Sequence, residues 1–141
     1  MTQSFVYAVL TLDHALIWRD GLEPGAKPIR LDASKDNPQY RKQHNAFKGD
    51  RDRSTMDQAF AEIIAHELGN ASHIYLLSAG DGKSNSAQQL LDFMKEKHPD
   101  LAAKVLGTGS ADVNALSDNQ LLELGRDRKN LFLSTRLQTF K

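Results

Sequence analysis

The chain has 141 residues, 40% hydrophobic and 26% charged, a length and composition that suit one globular domain rather than a disordered or fibrous chain. Eighteen basic residues balance eighteen acidic ones, so the surface as a whole does not advertise nucleic-acid binding, and any basic patch must be local. Cysteine is absent, which excludes disulfides, thiolate catalysis and cysteine-ligated zinc.

In chain order, Met1-Thr2-Gln3-Ser4 lacks the basic start and apolar core of a signal peptide. No apolar run approaches the roughly 20 residues that span a bilayer. A cytoplasmic location is the resulting expectation. Phe5–Leu12 is apolar, β-branched and aromatic, and reads as a buried strand. Asp13-His14 breaks it. Ala15–Arg19 resumes strand character, which predicts a hairpin. Asp20-Gly21 and Pro24-Gly25 are turn signals. Lys27–Leu31 is a shorter strand that Pro28 assigns to an edge, since proline cannot donate to a central ladder.

Asp32–Arg53 has no periodicity and is long for a loop. Ser54 or Thr55 is expected to cap a helix through Leu68, with Phe60, Ile63 and Ile64 on one face and Gly69-Asn70 at its end. His73–Ala79 reads as a buried strand. A second helix is expected from Ser84 or Ser86, with Leu90, Leu91, Phe93 and Met94 facing in and Pro99 closing it. Lys104–Leu106 is a short strand running into Gly107-Thr108-Gly109. Ser117 caps a last helix through Leu121, Leu122 and Leu124. Leu131, Phe132 and Leu133 either extend that helix or add a strand. Helices between the later strands imply parallel crossovers beside an antiparallel meander. One core is expected, holding Tyr7, Val9, Ile17, Ile64, Leu76, Leu91 and Val105.

The strongest local signal is the segment from Arg41 to Arg53. It carries Arg41, Lys42, Lys48, Arg51 and Arg53, interleaved with His44 and Phe47, against Asp50 and Asp52. Cations with an aromatic suit a phosphate backbone and a stacked base. These seven residues are the candidate RNA-binding set; the alternative is a solvated loop whose charges keep it soluble. Few apolar anchors beyond Tyr40 and Phe47 make 37–53 the expected most mobile internal segment.

Other constellations are weaker. Gly80-Asp81-Gly82-Lys83-Ser84 ends like a phosphate-binding loop, but Leu77 stands where its first glycine is needed. Asp13, Asp32 and Asp112 lie near strand ends, where paired carboxylates can hold two metals for nuclease chemistry; as turn residues they need no such role. His66-Glu67 has Asn70 in place of the second zinc-protease histidine. No serine lies in a Gly-x-Ser-x-Gly turn. No catalytic residue, metal ligand or cofactor is assigned. Trp18 reads as core.

The hairpin from Tyr7 to Trp18, the strand Ile74–Ala79 with Gly80, and the run His98-Pro99-Asp100-Leu101-Ala102-Ala103-Lys104-Val105-Leu106-Gly107 with Asp112 and Asp118-Asn119-Gln120-Leu121-Leu122 carry a resemblance. With the basic segment between meander and first helix, the chain resembles the middle domain of eukaryotic and archaeal peptide-chain release factors and of Pelota. It is also similar to small bacterial single-domain proteins described as translational machinery components. The resemblance implies a ribonuclease-H-like mixed sheet over one domain, 1–141. In release factors the loop before the first helix carries Gly-Gly-Gln, which promotes hydrolysis of peptidyl-tRNA. Here Gly49 is followed by Asp50 and Arg51, and Gln43 lies six residues earlier without flanking glycines. Glycines let the backbone approach the ester closely. What the resemblance then implies is a non-catalytic ribosome- or RNA-associated protein. A metal-dependent nuclease or divergent hydrolase and a protein-interaction module are the alternatives. Residues 129–141 depart from the family as a divergent tail.

Overall fold

A computed structural model describes residues 5–11, 14–19, 21–33, 58–79, 86–113 and 115–139, with side chains as far as Phe132. Five strands form one sheet: β1 (Phe5–Leu10), β2 (His14–Trp18), β3 (Ile29–Asp32), β4 (His73–Ser78) and β5 (Val105–Ser110). Their order is β3-β2-β1-β4-β5. β1–β2 and β2–β3 are antiparallel, whereas β1–β4 and β4–β5 are parallel. This mixed, open α/β sheet with an N-terminal meander is the ribonuclease-H-like class expected. Pro28 stands just before β3, which is an edge strand as the proline requires.

The expectation of one core is corrected. All six residues of β1 are buried, because this central strand is covered on both faces. Successive side chains point to opposite faces. Val6, Ala8 and Leu10 join Ile17, Ile74 and Leu76 on one face. There they pack against α1 (Gln58–Glu67) and α2 (Ser86–Lys97) through Phe60, Ile63, Ile64, Leu90 and Met94. Tyr7 and Val9 belong instead to a second cluster on the other face, with Trp18, Tyr75, Leu77, Leu121 and Leu122. Leu91 and Val105 are half-buried at the margin of the first cluster.

The second face is built around an aromatic row. Tyr7 is the register partner of Trp18 on one side and of Tyr75 on the other. The rings lie 5.4 Å and 6.2 Å apart between centroids, both stacked. Gly107 continues the row opposite Tyr75. Gly107 and Gly109 are therefore strand residues, and β5 continues beyond the short strand expected over Lys104–Leu106. A Cβ on Gly107 would come within 3.1 Å of the Phe132 ring, and one on Gly109 would collide with the Tyr75 hydroxyl. The aromatics occupy the space that β5 leaves empty.

One helix, α4 (Asp118–Thr139), covers this face. It starts with the reciprocal cap that Ser117 predicts: the Ser117 amide donates to Gln120 Oε1 at 2.8 Å, and the Gln120 amide to Ser117 Oγ at 3.2 Å. The uncertain stretch at 131–133 is resolved as helix. Elsewhere α1 ends as expected, with Asn70 adopting a left-handed φ of 72°. Arg19 adds to that end by donating to the carbonyls of Glu67 and Gly69, which the last turn leaves without partners. Pro99 does not simply end α2; it opens a four-residue helix, α3 (Pro99–Ala102).

Candidate functional site

Arg41, Lys42, His44, Phe47, Lys48, Arg51 and Arg53 all lie outside the described residues, as do Gln43, Asp13 and the Gly80–Ser84 stretch. The frame that holds the 34–57 segment is described. β3 runs antiparallel to β2 and hence parallel to β1, so Asp32 leaves the sheet at the carboxyl end of the parallel strands. α1 then leads through a short turn to His73, the start of β4, so Gln58 lies back at that same carboxyl end. Phe60 and Ile64, both fully buried, fix this return. Open α/β sheets place their ligand sites outside the carboxyl ends of the strands.

The polar groups described at that end are committed to structure. Ser86 Oγ donates to the Leu10 carbonyl at 3.1 Å, tying the start of α2 to the end of β1. The His14 amide donates to Thr11 Oγ1 at 3.0 Å and closes the β1–β2 hairpin. Asp32 pairs with Arg30 at 3.2 Å. The Asp112 carbonyl accepts the Ala115 amide at 3.0 Å, in a turn. Asp32 and Asp112 belong to opposite edges of the sheet, roughly 19 Å apart at four strand spacings. A two-metal site needs its ions about 4 Å apart, so these two carboxylates cannot share one. No cluster of three or more metal-ligating side chains occurs among the described residues. The carboxylate alternative is corrected for this pair.

Two tyrosines have perturbed acidity. Burial pushes the Tyr7 phenol far above its ordinary range, helped by neighbouring Tyr75. Its hydroxyl donates to the Leu121 carbonyl at 2.8 Å. Burial also raises Tyr75, opposed by Arg128. Both folded-state values exceed the unfolded ones, so this stabilisation is complete below about pH 10 and is lost as pH rises beyond it. Above that point the unfolded chain ionises while the folded chain resists. Denaturant melts between pH 8 and 11 should show an alkaline loss of stability. Tyr7→Phe should shrink that loss while lowering stability at neutral pH by about 0.5–1.5 kcal/mol. An unchanged alkaline limb would show that Tyr7 is not responsible.

The opposite end of the sheet holds an arrangement that sequence spacing did not reveal. His98, at the corner between α2 and α3, bonds through Nε2 to both carboxylate oxygens of Glu62 on α1, at 2.9 and 3.0 Å. The two are 36 positions apart. Beside them lies a cleft of about 450 Å³, also lined by His66, Lys97, Asp100 and Lys104. The sequence carries no local sign of this pairing, because only the packing of α1 against α2 brings it about.

No family model matches the sequence, and no curated protein does. Solved structures do. Pelota from Archaeoglobus fulgidus superposes with a TM-score of 0.57 at 13% identity, over 98% of this chain and 36% of that one. The Pelota protein of Thermoplasma acidophilum gives 0.46 at 12% identity, over 96% of this chain and 42% of that one. The chain thus spans well under half the length of either structure. At such identity the likeness concerns the fold: these residues fold like one portion of the Archaeoglobus fulgidus Pelota chain.

Proposed function

We propose that this is a non-catalytic, translation-associated module that contacts ribosomal or other RNA through the basic segment Arg41–Arg53. The observation that carries the reading is the fold likeness to Pelota, taken with the resemblance to release-factor middle domains, in which the corresponding loop enters the ribosome. The frame at the carboxyl end of the sheet supports it. The missing Gly-Gly-Gln argues against peptidyl-tRNA hydrolysis by the release-factor route. No helix among the described residues is long and apolar enough to cross a membrane.

Each lysine or arginine that meets a phosphate releases condensed counterions, so affinity falls as salt rises. Three or four contacts give a log–log slope of roughly −2 to −3 on single-stranded RNA. Replacing Arg51 and Arg53 together with Ala should flatten the slope by about one unit, with an unchanged thermal melt as control. Phe47→Ala should weaken binding by about 1–3 kcal/mol if a base stacks there, with little change in slope. The measurement is filter binding or ribosome co-sedimentation across a salt series. Titrations identical to the parent's would end the RNA reading and favour a protein-interaction module.

A further inference from the structure

We infer that the cleft between α1 and the α2–α3 corner binds a small hydroxyl-bearing phosphate monoester. This does not rest on the RNA reading, since the cleft lies at the opposite end of the sheet from Asp32 and Gln58, the described residues that flank the basic segment. The argument begins with charge. Of the two carboxylates lining the cleft, Glu62 has both oxygens engaged by His98. Three donors remain: His66, Lys97 and Lys104. Among the described residues Lys97 meets only its neighbour Glu96, at 3.9 Å and with both side chains half or more exposed, a pair that solvent screens. Among the described residues, the side chains of His66 and Lys104 have no hydrogen-bond or ionic partner. Two lysine ammonium groups and an imidazole, none with a committed acceptor, line one concavity, an arrangement that suits a phosphate group.

The frame is preorganised. The His98 amide donates to the Met94 carbonyl at 2.7 Å, and the His98 carbonyl accepts Leu101 and Ala102 amides at 3.0 Å each, which fixes the corner. Lys104 is held through its backbone, accepting the Ile74 amide at 2.9 Å and donating to Leu101 at 3.0 Å. The volume, about 450 Å³, lies within the usual range for small-ligand sites and exceeds what a bare phosphate fills. Asp100 supplies the remaining acceptor. A carboxylate beside a phosphate subsite repels a second anion but accepts a hydroxyl, so the ligand should carry hydroxyl groups next to its phosphate.

The test uses the full chain, ribose 5-phosphate, inorganic phosphate and free ribose, followed by NMR titration of the amides around His66, His98 and Lys104. Ribose 5-phosphate should saturate these signals near the millimolar range typical of small, few-contact ligands, roughly −4 kcal/mol. Inorganic phosphate should bind several-fold more weakly, and ribose not measurably. Lys97→Ala and Lys104→Ala should each weaken ribose 5-phosphate about tenfold, as expected for loss of one charge-assisted contact. Both side chains are exposed, so neither change should disturb folding. Lys27→Ala, an exposed cation elsewhere, should have no effect. Absence of saturation, equal binding of free ribose, or an unweakened titration in Lys104→Ala would each overturn the inference. Replacing Arg51 and Arg53 should leave this titration unchanged, which separates its failure from failure of the RNA reading.

Discussion

Gly125→Leu is expected to lift α4 from the sheet and to lower stability by about 3 kcal/mol, the upper part of the overpacking range. A Cβ on Gly125 would sit 2.6 Å from two carbons of the Tyr7 ring and 3.0 Å from a third. The ring cannot retreat: Tyr7 is fully buried, stacked against Trp18 and Tyr75, and bonded through its hydroxyl to the Leu121 carbonyl one turn earlier in the same helix. The helix has to move, and with it Leu121, Leu122 and Phe132. Gly125→Ala is the finer probe. Helix propensity alone makes alanine about 1 kcal/mol better than glycine. Crowding against Tyr7 should reverse that sign. Denaturant melts that find Gly125→Ala stabilised by the full propensity gain would show that α4 does not approach this closely.

Phe60→Ala should cost about 3–5 kcal/mol, the range for truncating a buried aromatic. Phe60 is wholly buried beneath α1 and joins Ile64 in anchoring that helix to Val6, Ala8 and Leu76. α1 has only ten residues, too few for a stable isolated helix, so tertiary packing has to hold it. Hydrogen exchange should therefore show α1 losing protection more than the β1–β2 hairpin. Uniform loss across the chain would mean that the two faces of the sheet unfold together and that α1 has no independent weakness. A destabilisation below 1 kcal/mol would contradict the packing itself.

Both outcomes turn on side chains whose role was only partly legible in the sequence. The apolar run of β1 announces a buried strand, but a strand covered on both faces has no alternation to say which residues share a core. The sequence alone therefore puts Tyr7 and Ile64 in one core, whereas the sheet stands between them. The Ser117 cap was legible because its partner, Gln120, is three residues away. The sequence shows strand character only over Lys104–Leu106, because glycines are depleted in strands; the place of Gly107-Thr108-Gly109 in β5 depends on Tyr75 and Phe132, which are distant in sequence. The helical end of the chain was ambiguous because Arg126, Asp127, Arg128 and Lys129 interrupt the apolar pattern midway. Arg19 with Glu67, and Glu62 with His98, are separated by 48 and 36 positions and leave no local signature. The basic segment is the reverse case: its charges are plain in the sequence, while its geometry lies outside the described residues.

The aromatic row gives the molecule a built-in optical reporter. Trp18 is the only tryptophan, is 1% exposed, and donates its indole N–H to the Ala26 carbonyl at 3.1 Å. Its emission should thus be blue-shifted and sensitive to the stacked Tyr7 ring. Because that ring lies directly beneath α4, a red shift reports departure of this one layer, even where the helices on the far side stay in place. Fluorescence and circular dichroism recorded on the same melt can then time the loss of one face against the whole, without a label and without touching the basic segment.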